Sequence, residues 1–242
     1  MINKVPVLDL KNGQAVSGKS GQRESYTSLN TIYAHSSNPI EIASGLKLNG
    51  ALEIYVADLD LIDSKGHNIN EIKMINTILP VILDAGVKNI DSFEFFLDYA
   101  YKIIVPTETI ESIDEIYKIF EKYPKDRIVI SVDVKNNELF SKNLNISIED
   151  FKDILLELDP SEVILLDISS VGSEKGYNKE LLDKFEGLKD KLIIAGGLNK
   201  DSLEELEELG IKKVLIGTSL HSGEVSLRWR LLIQYKGICM QL

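Results

Sequence analysis

Cysteine is almost missing from this chain of 242 residues; the one residue, Cys239, excludes an internal disulfide and a cysteine-based zinc site. Histidine is nearly as scarce. His35, His67 and His221 show no metal-ligand spacing, and no site of two histidines and a carboxylate emerges, so no metal is expected. No apolar run approaches the ~18 residues that a membrane-spanning helix requires, which argues against a membrane partner. Basic charge is also short. Lys and Arg number 27 against 38 Asp and Glu, for a net charge of −11, and a nucleic-acid partner needs a basic face. Much of the excess acid lies on solvated helix faces, as in Asp201-Ser202-Leu203-Glu204-Glu205-Leu206-Glu207-Glu208. The only tryptophan, Trp229, falls in the amphipathic stretch Leu227–Leu232 and reads as packing. Met1-Ile2-Asn3-Lys4 runs straight into an apolar run, so no targeting peptide is expected, and a cytoplasmic, reducing location fits the lone thiol.

What the chain does contain is Val and Ile, gathered into eight short runs. These are Val5–Leu10, Glu53–Leu59, Pro80–Asp84, Lys102–Pro106, Arg127–Val134, Glu162–Ile168, Lys191–Ala195 and Lys213–Ile216. Their middles are almost continuously apolar, as parallel strands covered on both faces require. Stretches of helical period follow near 39–48, 69–78, 91–100, 111–122, 147–158, 178–187, 201–208 and 224–235. Ser112–Phe120 shows the apolar spacing of three and four that marks an amphipathic helix. Eight βα units with short connections predict one closed (β/α)8 barrel, an α/β TIM barrel spanning residues 1–242.

The barrel is expected to consist of two repeated halves. Glu53-Ile54-Tyr55-Val56-Ala57-Asp58-Leu59 aligns with Glu162-Val163-Ile164-Leu165-Leu166-Asp167-Ile168. Ile82-Leu83-Asp84-Ala85-Gly86 aligns with Ile193-Ile194-Ala195-Gly196-Gly197, and Asp91-Ser92-Phe93 with Asp201-Ser202-Leu203. The opening Val5-Pro6-Val7-Leu8-Asp9-Leu10-Lys11-Asn12-Gly13 returns as Ile128–Asn137, each apolar run delivering one Asp at its end. Self-similarity of this length and order is the mark of duplication.

In such a barrel the strand C-termini build the site. Asp9 and Asp133 then face one another from strands one and five, and two opposed carboxylates serve as general acid and base when their environments tune them. The plainer alternative is that each caps its turn or pairs with Lys11 or Lys135. Asp58 and Asp167 form a second related pair, for which loop support is the plainer role and substrate contact the other; Ser169 follows Asp167 in the same loop. Gly196 and Gly197 end strand seven, and Gly217, Thr218 and Ser219 end strand eight. Glycines let the backbone approach a ligand, and turns after strands seven and eight are the usual phosphate grip of barrel enzymes. In the first half the corresponding turns read Asp84-Ala85-Gly86 and Pro106-Thr107-Glu108; two carboxylates oppose a phosphate there and Pro106 offers no amide. The long segment Gln14–Asn30 carries Lys19 and Arg23, the cations best placed to reach the mouth, and reads either as a lid or as a disordered surface loop.

Taken together, the opening stretch, the helix start Asn38-Pro39-Ile40-Glu41, Val56-Ala57-Asp58-Leu59-Asp60, Ser131-Val132-Asp133, Ala195-Gly196-Gly197 and Gly217-Thr218-Ser219 resemble the histidine-biosynthesis barrels. That family holds the phosphoribosylformimino-aminoimidazole carboxamide ribotide isomerase and the cyclase subunit of imidazole glycerol phosphate synthase, and the resemblance runs closer to the isomerase. It implies an Amadori aldose–ketose isomerisation of a phosphorylated ribotide, with Asp9 as base, Asp133 as acid and no cofactor. It also implies phosphate sites at Gly196, Gly197, Gly217 and Thr218 and at Gly86 and Thr107. The chain departs from the family pattern at Asp84, at Pro106, at Leu166 where a threonine is usual, and in the uncharged loop Ser169-Ser170-Val171-Gly172-Ser173. Phe140 is the one aromatic placed to stack on a base. These departures leave three readings open: the isomerase, a divergent lyase or cyclase on a singly phosphorylated metabolite, and a non-catalytic binding barrel.

Overall fold

A computed structural model describes residues 1–18 and 22–227. Eight strands form the barrel: β1 (Asn3–Lys11), β2 (Ile54–Asp58), β3 (Val81–Asp84), β4 (Lys102–Pro106), β5 (Ile128–Lys135), β6 (Glu162–Asp167), β7 (Leu192–Ala195) and β8 (Lys213–Ile216). Each pairs in parallel with the next, and β8 returns to β1 through Asn3↔Lys213 to Pro6↔Ile216, which closes the ring. The expected barrel is therefore present.

Branched side chains dominate its inside. Val5, Ile82, Ile104, Val129, Ile164, Ile193 and Leu215 are buried there as one cluster, each worth about 1.5–3 kcal/mol when removed from water. The outer faces of the strands pack on helices through a second, larger cluster. The helices Pro39–Leu48 and Ile69–Ile78 occupy the residues expected of them, whereas the fourth unit's neighbour is shorter, Ile90–Phe96. Polar residues start these helices at fixed points. Asn89 and Asn199 each form a reciprocal cap with the serine three residues on, Ser92 and Ser202, at equivalent places in the two halves. The expected helix near 224–235, with Trp229, lies largely outside the described residues; the strand-eight turn instead runs into a short helix, Thr218–His221.

The duplication extends to register. Ala57 of β2 pairs with Asp84 of β3, and Leu166 of β6 pairs with Ala195 of β7; Asp9 lies beside Ala57, and Asp133 beside Leu166. Asp84 thus holds the first-half position that Ala195 holds in the second.

At the opposite end of the barrel the halves meet in charge. Lys102 binds Glu162 at 2.7 Å, and Lys213 bridges Glu53 at 2.6 Å and Glu162 at 2.5 Å. All four side chains are largely shielded from solvent. Although burial alone would favour the neutral acid, the two lysines hold Glu162 below the usual carboxylate range.

Two features were not visible in the hydropathy pattern. Gln14–Ser17 folds back antiparallel on β1 and pairs in turn with Thr27–Ser28, so both ends of the segment expected as a lid or loose loop extend the sheet. Its turn, Asn12-Gly13, has both residues at positive φ, as a two-residue hairpin requires; Asn136-Asn137 repeats this after β5. Among the described residues between Ser17 and Thr27, Arg23–Ser25 makes a 3-10 turn. Lys19 lies outside the described residues.

Candidate active site

The C-terminal ends of the strands surround one cavity, and the sequence-predicted residues divide around it. Asp9, Arg23, Asp133, Gly196, Gly197, Gly217 and Thr218 all line it. So do Asp84, Glu108, Tyr26, Tyr55, Lys135 and Phe140. Gly86, Thr107, Asp167, Ser169 and Ser219 do not form its wall.

Asp9 and Asp133 enter from β1 and β5, four strands apart in the ring of eight. Their settings differ. Asp9 accepts no hydrogen bond from any described residue, and burial raises its pKa to about 7, with Arg23 opposing the rise and Asp84 adding to it. Asp133 is 4% exposed and well held: Ser131 Oγ donates to Oδ1 at 2.8 Å, and the Glu108 amide donates to Oδ2 at 3.2 Å. Its pKa also rises to about 7, first through burial and next through the negative charge of Asp84. Neither carboxylate forms an ion pair with a lysine among the described residues; Lys11 instead donates to the Arg23 carbonyl at 2.9 Å, and Lys135 stands 5.6 Å over the Phe140 ring. Two opposed carboxyls that titrate near neutrality can hold one proton between them, the state that acid–base chemistry needs.

Asp84 stands near both. Tyr55 Oη donates to Oδ2 at 3.1 Å and the Gly86 amide to Oδ1 at 3.2 Å, fixing the carboxylate in place. Burial raises its pKa to about 6. Burial holds Tyr55 well above its ordinary value and lifts Tyr26 to about 12, so both phenols remain proton donors at neutral pH. Sequence reading passed over these tyrosines because an aromatic in a strand is ordinarily a packing residue. The signal was that Tyr55 sits among aliphatic interior positions of β2.

Arg23 reaches across the mouth. Its guanidinium meets Glu108 in a two-bond fork, 3.0 Å to Oε1 and 2.8 Å to Oε2, and meets Asp63 at 3.2 Å; Lys142 binds Glu108 from the far side at 3.0 Å. Burial opposes the charge of Glu108, yet Arg23 and Lys142 hold it below the usual range.

The remaining first-half candidates are engaged within the protein. Thr107 Oγ1 accepts from the Asp133 amide at 3.0 Å and lies 3.2 Å from the Phe140 carbonyl. In the second half, Gly196 and Gly197 sit at φ +100° and +69°, and a Cβ on Gly196 would come within 2.5 Å of the Asp167 carbonyl. Only glycine fits that close approach. Ser219 Oγ is buried and donates to the Leu198 carbonyl at 2.7 Å, which leaves its backbone as the part able to face a ligand.

Asp58 and Asp167 brace loops. Asp58 accepts from the Asn68 amide at 2.6 Å and from Asn68 Nδ2 at 2.7 Å; Asn68 Oδ1 in turn accepts from the Gly13 amide at 2.7 Å. Asp167 accepts from the Ser169 amide at 2.9 Å and from Ser170 Oγ at 2.8 Å, while Ser169 Oγ accepts from the Asn136 amide at 3.1 Å. Each half thus ties its hairpin turn to the loop after the next strand. His221 Nε2 lies 2.8 Å from the Val7 carbonyl, which can only accept, so this nitrogen carries the proton and Nδ1 accepts from Thr31. Among the described residues, no three His, Cys, Asp or Glu side chains are grouped to hold a metal ion.

The family described as histidine biosynthesis protein matches residues 4–226. The chain belongs to this family. An uncharacterised protein from Methanocaldococcus jannaschii is 38% identical over 228 residues, covering 92% of this chain and 95% of its own. An imidazole-4-carboxamide isomerase of Clostridium botulinum (strain Okra / Type B1) is 30% identical, covering 92% of this chain and 93% of its own. The enzyme of the same name from Cenarchaeum symbiosum is 26% identical, with 93% and 97% covered. The names of both isomerases describe a substrate with two phosphoribosyl groups. As a histidine-biosynthesis barrel, this chain carries its candidate site at the end of the fold where the βα loops gather.

Proposed function

We propose that the protein is an isomerase of the histidine-biosynthesis barrel type, converting a phosphorylated aminoaldose into the aminoketose by proton transfer between Asp9 and Asp133. The observation that carries this reading is the pair itself. Two carboxyls at repeat-related strand ends, each with a pKa near 7, share one cavity and are free of lysine partners among the described residues.

Asp133, hydrogen-bonded and oriented, gives its proton to the ring oxygen of the sugar, and the ring opens as the C1–O bond breaks. The electron pair of the C1 nitrogen forms the C=N bond. Asp9, the less constrained of the two, then takes the proton from C2, leaving an enolamine. Asp9 returns its proton to C1 while the C2 hydroxyl gives up its proton to Asp133, which completes the aminoketose, resets both carboxyls and balances without an external oxidant or reductant. The glycine turns at Gly196-Gly197 and Gly217-Thr218 hold the phosphate, and the Phe140 ring offers a flat wall to the rest of the molecule.

The test is turnover of aminoaldose phosphates, including the ribotide of the named relatives, by the wild type and by Asp9→Asn. Conversion by the wild type with a loss of at least ~10²-fold in the variant is expected. If no aminoaldose phosphate reacts, and the variant and the wild type bind these ligands equally, the isomerase reading fails.

A further inference from the structure

The two halves of this barrel share the same strand register at their C-terminal ends, so the second half serves as a reference for the first. At the end of β7 stands Ala195, and the turn after β8, Gly217-Thr218-Ser219, has no ionisable side chain. At the equivalent end of β3 stands Asp84, and the turn after β4 carries Glu108. The groups that would meet a phosphate in the first half are already occupied. The Gly86 amide donates to Asp84, the Thr107 hydroxyl is engaged by Asp133 and Phe140, and position 106 is a proline with no amide to give. The one cation reaching into this half of the cavity among the described residues, Arg23, is spent on Glu108 and Asp63.

We propose that the Arg23–Glu108 ion pair together with Asp84 is a specificity device that replaces a second phosphate grip. The substrate then carries a single phosphate, held at the second-half turns, and presents to Asp84 and Glu108 an end that bears hydroxyl or amino donors and no phosphate. This rests on the cavity being the substrate site, as above, but not on which reaction takes place there.

Three properties make the device selective. Glu108 is 8% exposed and doubly paired, so the fork with Arg23 is preorganised rather than a loose surface contact. Asp84 is fixed by Tyr55 and Gly86 with its remaining lone pairs toward the cavity, an acceptor array suited to hydroxyl or ammonium hydrogens. A dianionic phosphate entering here would face Asp84 and Glu108 at once, and the cation between them would first have to leave its partner. A second phosphate is thereby rejected by repulsion and not merely left unbound.

The experiment compares binding of ribose 5-phosphate and ribulose 1,5-bisphosphate by titration calorimetry, using the wild type, Glu108→Gln and Asp84→Asn. The wild type is expected to bind the monophosphate at least as tightly as the bisphosphate. Glu108→Gln, which keeps the shape but frees Arg23, is expected to shift the ratio of bisphosphate to monophosphate affinity at least 10-fold toward the bisphosphate. Asp84→Asn is expected to shift in the same direction, and it tests the idea independently should Glu108→Gln be unstable. A wild type that prefers the bisphosphate by 10-fold or more, or that binds neither ligand, overturns the proposal. So does an unchanged ratio in both variants. Binding is read without turnover, so failure of the isomerase reading alone would leave the one-phosphate preference intact.

Discussion

Asp133 is locked by Ser131 and the Glu108 amide, while the Asp9 carboxylate accepts no side-chain or amide hydrogen bond among the described residues. Both carboxyls titrate near 7 because burial disfavours their charge. Turnover that needs one of them protonated and the other ionised should therefore peak near pH 7 and fall on both sides, with the two limbs close together. A pH–rate profile of kcat/KM checks this, and a plateau from pH 6 to 9 would contradict it. Stability should move the other way. A carboxyl with a folded pKa of about 7 and an unfolded value near 4 binds protons more strongly in the native state, so stability is lost as pH rises from 4 through 7. Asp9→Asn removes that cost and is expected to raise the melting temperature at pH 8 by about 2–6 °C, with no gain at pH 4. Both aspartates were legible in the sequence because each ends an apolar run and one repeats the other. Arg23 was legible as a cation near the mouth. Its partner was not, because Glu108 lies 85 residues away and no periodicity links the two.

At the scale of elements, the loops around the site are fastened by amides of asparagine. Asn68 is 1% exposed and joins Asp58, Asp60 and the Gly13 amide. Asn68→Ala takes one donor from each of two buried carboxylates and leaves the Gly13 amide without its acceptor, and should destabilise by about 1–3 kcal/mol; the midpoint of a urea transition reads it. Gly196 fixes the close approach of β7's turn to the loop after β6. Gly196→Ala is expected to weaken ribose 5-phosphate binding by at least ~10-fold, since the new methyl must displace the Asp167 carbonyl. Helices such as Ile69–Ile78 were readable from apolar spacing and caps. The strands Gln14–Ser17 and Thr27–Ser28 were not, because glycine, serine and charge hide any alternation and the pairing depends on β1 as a template. The short helix Leu59–Ile62 was missed for a related reason: four residues are too few to show a period.

On the scale of the whole molecule, the duplicated halves are joined at the end away from the site by Glu53, Lys102, Glu162 and Lys213. Lys213→Met leaves Glu53 and Glu162 short of a partner in a shielded setting and should cost about 3–5 kcal/mol, visible as a lower melting temperature with unchanged ligand affinity. The closed barrel and its repeat were plain in the sequence because eight apolar runs and their matching strand ends are local features. The charge cluster was not, since its members come from three strands and their approaches, brought together only when the ring closes.

That cluster also settles the traffic. With charged side chains knitted across the bottom and branched aliphatics above them, the barrel is a vessel with one door. On the isomerase reading, product leaves by the way its precursor entered, through the mouth that Arg23 and Glu108 line. Substrate entry and product exit, on that reading, share the one open end of the barrel.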